Sequence, residues 1–230
     1  MTATAVHQVA PGGVGVIELR RPYIGTLVPQ PWRKYQIAEQ DTLPESSVLA
    51  AIAAQRERGV RVLLLSIESN GGDVDAAFTL YDALRAFAAA GGIVVAYVAG
   101  WCASTATLIA LAGDYLVVDP AAQLAIHSML GPDAQEWNRR VLEVTAPRVL
   151  TPRDELATWL SFIRHDDERY VPGQPNVAKL DAALAVNHAW ADLVGTREEA
   201  QAFASSLASG GAVTTPRRQA LAERSARAGE

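Results

Sequence analysis

The stretch VRVLLLSIESNGGDVDAAFTLYDALRAFAAA (residues 60–90) decides the fold class. Val60 to Ile67 is a near-continuous apolar run, which suits a strand covered on both faces. Ser69-Asn70-Gly71-Gly72 is a turn. From Val74 to Ala90 the apolar residues Ala77, Leu80, Tyr81, Leu84 and Phe87 recur at helical spacing, and Gly91-Gly92 ends the helix. The pattern then repeats. Ile93 to Ala99 reads as a second buried strand, Gly100 to Ala103 as a tight connection, and Ser104 to Ala112 as a short helix. Tyr115 to Val118 and Gln123 to Ile126 are short strands separated by Asp119-Pro120. This alternation predicts an α/β core of mostly parallel strands joined by right-handed crossovers.

Upstream, Val14 to Leu19 reads as a strand, and 20–44 as an arm rich in Pro and aromatics. Glu45 to Arg58 has helical spacing, with Ser46 or Ser47 as its cap. Downstream, Asp133 to Leu150 reads as a long helix that Pro147 breaks or kinks. Pro152 to Ile163 is a helix, His165 to Pro175 a loop, and Asn176 to Trp190 a helix. Arg197 to Leu207 is a helix capped by Thr196. Three regions result: a strand and irregular arm over 1–44, a main domain over 45–208 with an insertion at about 151–180, and a flexible tail over 209–230.

The composition narrows the function classes. The chain has 230 residues, half of them hydrophobic, enough for a substantial core. Its net charge of -5 argues against an electrostatic nucleic-acid binder. One cysteine, Cys102, excludes a disulfide framework and a Cys-rich zinc site. Only two of the 20 basic residues are lysines, Lys34 and Lys179. Met1 to Pro11 has neither a basic residue nor an apolar run, so no secretory signal is expected. Ala86 to Gly113 is uncharged and long enough to span a bilayer, but Gly91, Gly92, Gly100, Ser104, Thr105 and Thr107 punctuate it as strand followed by helix. A cytoplasmic protein without membrane contact is expected.

Three places share one logic. Gly71-Gly72 joins a buried strand to a helix, where adjacent glycines allow unusual φ and a close backbone approach. Ser104 sits where the next strand hands over to a helix, and the positive end of that helix favours an oxyanion. His127 follows at the next strand end. Each feature alone has an ordinary structural explanation: a turn, an N-cap, a buried histidine. Together they fall on one edge of a parallel sheet, where the loops after the strands converge. A serine, a histidine and free backbone N–H groups there make an acyl-transfer site.

Ser69-Asn70-Gly71-Gly72-Asp73-Val74, Gly100-Trp101-Cys102-Ala103-Ser104-Thr105, Ala112-Gly113-Asp114 and Ala125-Ile126-His127, in that order, resemble the Clp-protease proteolytic-subunit family. The closest likeness is to its phage-encoded head-maturation (prohead) branch. The resemblance implies a crotonase-like fold of repeated β-β-α units and a serine endopeptidase without a cofactor. It implies Ser104 as nucleophile, His127 as base, and an oxyanion hole from the N–H groups of Gly72 and Thr105. Asp192, four positions before the Thr196 that opens Thr196-Arg197-Glu198-Glu199-Ala200, takes the place of the third triad member; Asp166 and Asp167 are its rivals. It also implies a homo-oligomeric ring, with stacked heptamers in the family and the helix after His127 at the ring contact. The substrate is a protein or peptide. An AAA+ unfoldase partner is known to the family but not indicated here, and the head-maturation branch implies trimming of scaffold or capsid proteins.

The sequence departs from the family in lacking a proline at Asn70 and another after Ser128, and in the long interval from His127 to Asp192. That interval leaves open a catalytically inactive structural or adaptor subunit. A signal-peptide-peptidase-like Ser-Lys enzyme needs Lys34 or Lys179 at the serine, and neither lies in a matching motif. Acyl-CoA chemistry, hosted by the same fold, ranks last. His165-Asp166-Asp167 and the pair His188 and Asp192 lack the further ligands a metal needs, and Cys102 reads as a small core residue rather than a rival nucleophile.

Overall fold

The computed structural model describes residues 6–10, 13–25, 38–129, 133–160 and 177–228. Its centre is one sheet in the order β1 (Val6–Ala10), β2 (Val14–Arg20), β5 (Val62–Ser69), β6 (Ile93–Ala103), β7 (Tyr115–Val118) and β10 (Leu193–Val194). β2, β5, β6, β7 and β10 run parallel, and β1 is antiparallel to β2. A small parallel pair, β3 (Tyr23–Ile24) and β4 (Thr42–Leu43), lies outside this sheet.

β6 is long because it serves two partners in succession. Val95 to Val98 pair with Tyr115 to Val118, and Trp101 to Ala103 pair with Gln123 to Ala125 of β8 (Gln123–His127). The residues 100–103, expected as a connection, therefore complete a strand. β8 pairs antiparallel with β9 (Val177–Asp181) on its other side.

Both faces of the sheet are covered, which explains the near-continuous apolar run of β5. Leu63, Leu65 and Ile67 pack with α1 (Glu45–Glu57), α2 (Val74–Ala89) and α3 (Thr105–Leu111). Val62 and Leu64 face α7 (Arg197–Ala208) through Ala200, Ala204 and Leu207. Each fully buried leucine contributes about 1.5–3 kcal/mol. The remaining helices are α4 (Ala134–Thr145), α5 (Arg153–Trp159), α6 (Ala182–Asn187) and α8 (Pro216–Ala228). Among the described residues, no helix is long and apolar enough to cross a membrane.

Several elements differ from expectation. The N-cap of α1 is Pro44, with no side-chain cap bond, so Ser46 and Ser47 fall inside the first turn. α4 ends at Thr145, and a 3-10 turn over Ala146–Arg148 absorbs Pro147. The helix expected over Asn176 to Trp190 is β9 followed by α6, because pairing with β8 holds Val177–Asp181 extended and Asp181 then caps Leu184 N–H at 2.8 Å. α7 carries the expected cap, with Thr196 N–H donating to Glu199 Oε2 at 2.8 Å.

The tail expected to be flexible forms α8 and is docked. Tyr115 Oη donates to Val213 O at 2.8 Å, and Arg217 Nη2 to Arg148 O at 2.9 Å. Arg224 reaches the Val149 and Ala146 carbonyls at 2.6 and 2.8 Å. Arg217 and Arg224 thus donate to the carbonyls of Ala146, Arg148 and Val149, in and just after the 3-10 turn that follows α4.

Candidate active site

β6 delivers Ser104, and the chain turns there into α3. Ser104 has φ of 56° and ψ of -128°, one of two non-glycine residues with positive φ among those described. Such a conformation costs of order 1–3 kcal/mol and persists only where its surroundings impose it. Ala125 imposes it here. Its carbonyl accepts the Ser104 N–H at 2.8 Å and the Thr107 hydroxyl at 3.1 Å, tying the turn to β8.

The Gly71-Gly72 turn lies against Ser104. Gly71 has φ of 93°, and a Cβ on it would stand 2.8 Å from Ser104 Cβ and 2.9 Å from Thr105 N. Its N–H donates to Ser69 Oγ at 3.2 Å and its carbonyl accepts from Ile24 N–H at 2.8 Å. Gly72 passes so close to Ile24 that a Cβ would meet Ile24 O at 2.0 Å. Asp73 then caps α2 by accepting the Ala76 N–H at 2.8 Å. Among the described residues the N–H groups of Gly72 and Thr105 have no acceptor. Thr105 is fully buried, and its hydroxyl also lacks a partner.

His127 ends β8 two residues beyond Ala125. Its Nδ1 lies 2.6 Å from Ser128 O. A carbonyl only accepts, so Nδ1 carries the proton, and in the neutral ring Nε2 keeps its lone pair. Burial pushes the His127 pKa below its ordinary value, opposed by the bond to Ser128. Among the described residues no hydrogen bond joins Ser104 to His127.

Asp192 lies elsewhere. Its carboxylate accepts from Leu116 N–H at 2.8 Å, from Arg217 Nη1 at 2.7 Å and from the Thr215 hydroxyl. Leu116 is opposite Ala96 near the start of β6, whereas Ala125 is opposite Ala103 at its end. The structure brings Ser104, Gly71, Gly72, Thr105 and the His127 strand together, and it does not bring Asp192 to His127. The orienting carbonyl of Ser128 is a backbone group that no side-chain motif reveals. Asp166, Asp167, His165 and Lys34 lie outside the described residues. Lys179 stands on β9 opposite Ala125, with Nζ 5.9 Å from the centre of the Trp101 ring.

A protein-family model described as Clp protease matches residues 34–169. That span contains Gly71, Gly72, Ser104, Thr105 and His127 and stops short of Asp192. No curated protein matches the chain. Among solved structures, a ClpP1 point mutant from Listeria monocytogenes is similar, with 17% identity and a TM-score of 0.56 over 68% of this chain and 86% of that one. At that identity the likeness concerns the fold.

Proposed function

The chain belongs to the Clp protease family, a family of peptidases, and from that premise we propose that it is a serine endopeptidase acting through Ser104 and His127. One observation carries the reading: the imposed turn at Ser104 sets its side chain against Gly71, beside two backbone N–H groups without acceptors. Ser104 Oγ attacks the peptide carbonyl while His127 Nε2 takes its proton. The oxyanion is held by the N–H groups of Gly72 and Thr105, and His127 returns the proton to the leaving amine. Water then hydrolyses the acyl-enzyme by the same route. The Ser128 carbonyl does for the histidine tautomer what a triad carboxylate would. Closure of Ser104 onto His127 accompanies substrate binding or assembly into a ring, with α4 as the ring-contact helix. The Gly71-Gly72-Asp73-Val74 and Ala112-Gly113-Asp114 motifs support scaffold or capsid proteins as substrates.

The test is intact-mass analysis after exposure to a fluorophosphonate probe, with the modified residue located by fragmentation. One adduct per chain, on Ser104, is the expected result. The absence of any adduct on folded, assembled protein would overturn the reading. It would then favour the second one, an inactive subunit, which the engagement of Asp192 by Arg217 and Thr215 supports.

The pH profile of labelling follows from His127. The base works only when neutral, and burial lowers its pKa. Labelling should therefore persist as pH falls below about 6.5, the ordinary histidine value, and fail only below the lowered one. An acid limb centred above 6.5 would contradict His127 as the base in this environment.

A further inference from the structure

A cavity of about 260 Å³ opens beside the Gly71-Gly72 turn, where β2, β5 and the second half of β6 end. Arg20, Arg21, Glu68, Asn70 and Trp101 line it. It neighbours the candidate site: Ser69 on its wall accepts the Gly71 N–H, and a Cβ on Gly71 would stand 2.8 Å from Ser104 Cβ. It is smaller than the roughly 300–1,000 Å³ of sites that enclose a whole small molecule, so it is sized for a side chain.

Its charge is unbalanced. Arg20 lies 3.7 Å from Glu18 and 3.8 Å from Glu68; the Arg20 and Glu68 side chains are half-exposed, so that second contact holds weakly. Glu18 is itself taken by Arg197. Arg21 Nη1 donates to the Gln40 carbonyl at 2.8 Å, and among the described residues its guanidinium meets no carboxylate. Lys179 Nζ stands 5.9 Å from the centre of the Trp101 ring. Asp181, the acid nearest to it along β9, is committed to capping α6. In a chain with a net charge of -5, the charged residues that line the cavity are Arg20 and Arg21 against Glu68.

We infer that this cavity is a subsite for an acidic side chain of the substrate, with the Arg21 guanidinium as its carboxylate anchor and Trp101 as its apolar wall. The planar fork of Arg21 pairs with a carboxylate through two parallel N–H donors, a geometry lysine cannot offer. The stem of a bound glutamate lies along the indole of Trp101. Lys179 extends the positive surface along β9, so an acidic stretch fits better than one acidic residue. The inference deepens the peptidase reading and rests on it, but its test measures binding rather than turnover.

Ser104→Ala protein, which cannot cleave, is titrated into a fluorescein-labelled decapeptide of alternating Glu and Ala, and into its Lys counterpart, with anisotropy as the readout. The Glu peptide should bind roughly tenfold tighter or more at low salt, and the margin should shrink as salt rises. Adding Arg21→Glu should reverse the preference. Arg21→Gln, at the same exposed position, should abolish it. Equal binding of the two peptides, no binding of either, or a Glu preference that survives Arg21→Glu would each overturn the subsite. Fluorophosphonate labelling of the wild type stands apart from these outcomes. A missing adduct beside charge-selective binding removes the peptidase reading and leaves the subsite. A Ser104 adduct without charge selectivity does the reverse.

Discussion

Arg217→Leu is expected to lower the free energy of unfolding by about 3–5 kcal/mol, measured by urea denaturation followed by circular dichroism. The Asp192 side chain is fully buried and that of Arg217 is 3% exposed, so the pair sits out of water. Removing the guanidinium leaves a buried carboxylate with only the Leu116 N–H and the Thr215 hydroxyl. It also strips the Arg148 and Ala189 carbonyls of a donor. Replacing both members, Arg217→Leu with Asp192→Leu, should recover part of the loss, since no charge is then left unpaired. The same pair decides what Asp192 is for. If it is structural, Asp192→Asn lowers stability while labelling per folded molecule stays within about tenfold of wild type. A loss above ~10³-fold at unchanged stability, the scale seen when a triad acid is replaced, would return Asp192 to the triad.

Gly72→Ala is expected to slow fluorophosphonate labelling by about 10²–10³-fold, the usual cost of one lost oxyanion donor. The added methyl meets a backbone oxygen, Ile24 O, at 2.0 Å, and no rotation of a side chain relieves that contact. The turn must move away from β3, and the Gly72 N–H moves with it. Gly91→Ala provides the comparison: it also has positive φ but open space around it, so it is strained by about 1 kcal/mol without reaching Ser104. Labelling of Gly72→Ala at the wild-type rate would remove this N–H from the oxyanion hole.

The elements with a clean period were legible in the sequence. The near-continuous apolar run of β5 and the stripe on α2 need only local arithmetic, and Thr196 announces its helix through a capping box. The convergence of Gly71, Ser104 and His127 on one sheet edge followed from the alternation of strands and helices. What escaped depends on partners far along the chain. β9 is a strand because β8 offers it a ladder, and nothing within Val177–Asp181 says so. α8 looked like a loose tail because arginine-rich segments usually are one, while its arginines seek carbonyls exposed some seventy residues earlier, as Arg217 does at Arg148 and Arg224 at Val149. Asp192 satisfied the spacing rule of a motif and was claimed by Arg217, a residue the motif does not contain.

The late arrival of Arg217 bears on how the chain matures during synthesis. Domains fold as their residues emerge, N-terminal parts first. The Ser104 turn, the glycine pair and the His127 strand are all made before Asp192, and Asp192 is made before the guanidinium that neutralises it. Until the segment beyond α7 has been translated, β10 would have to bring an unpaired charge against β7. The nascent chain thus carries the Ser104 turn for a time in a half-closed body. Sealing of that body waits for α8, which follows every residue of the sheet in the chain.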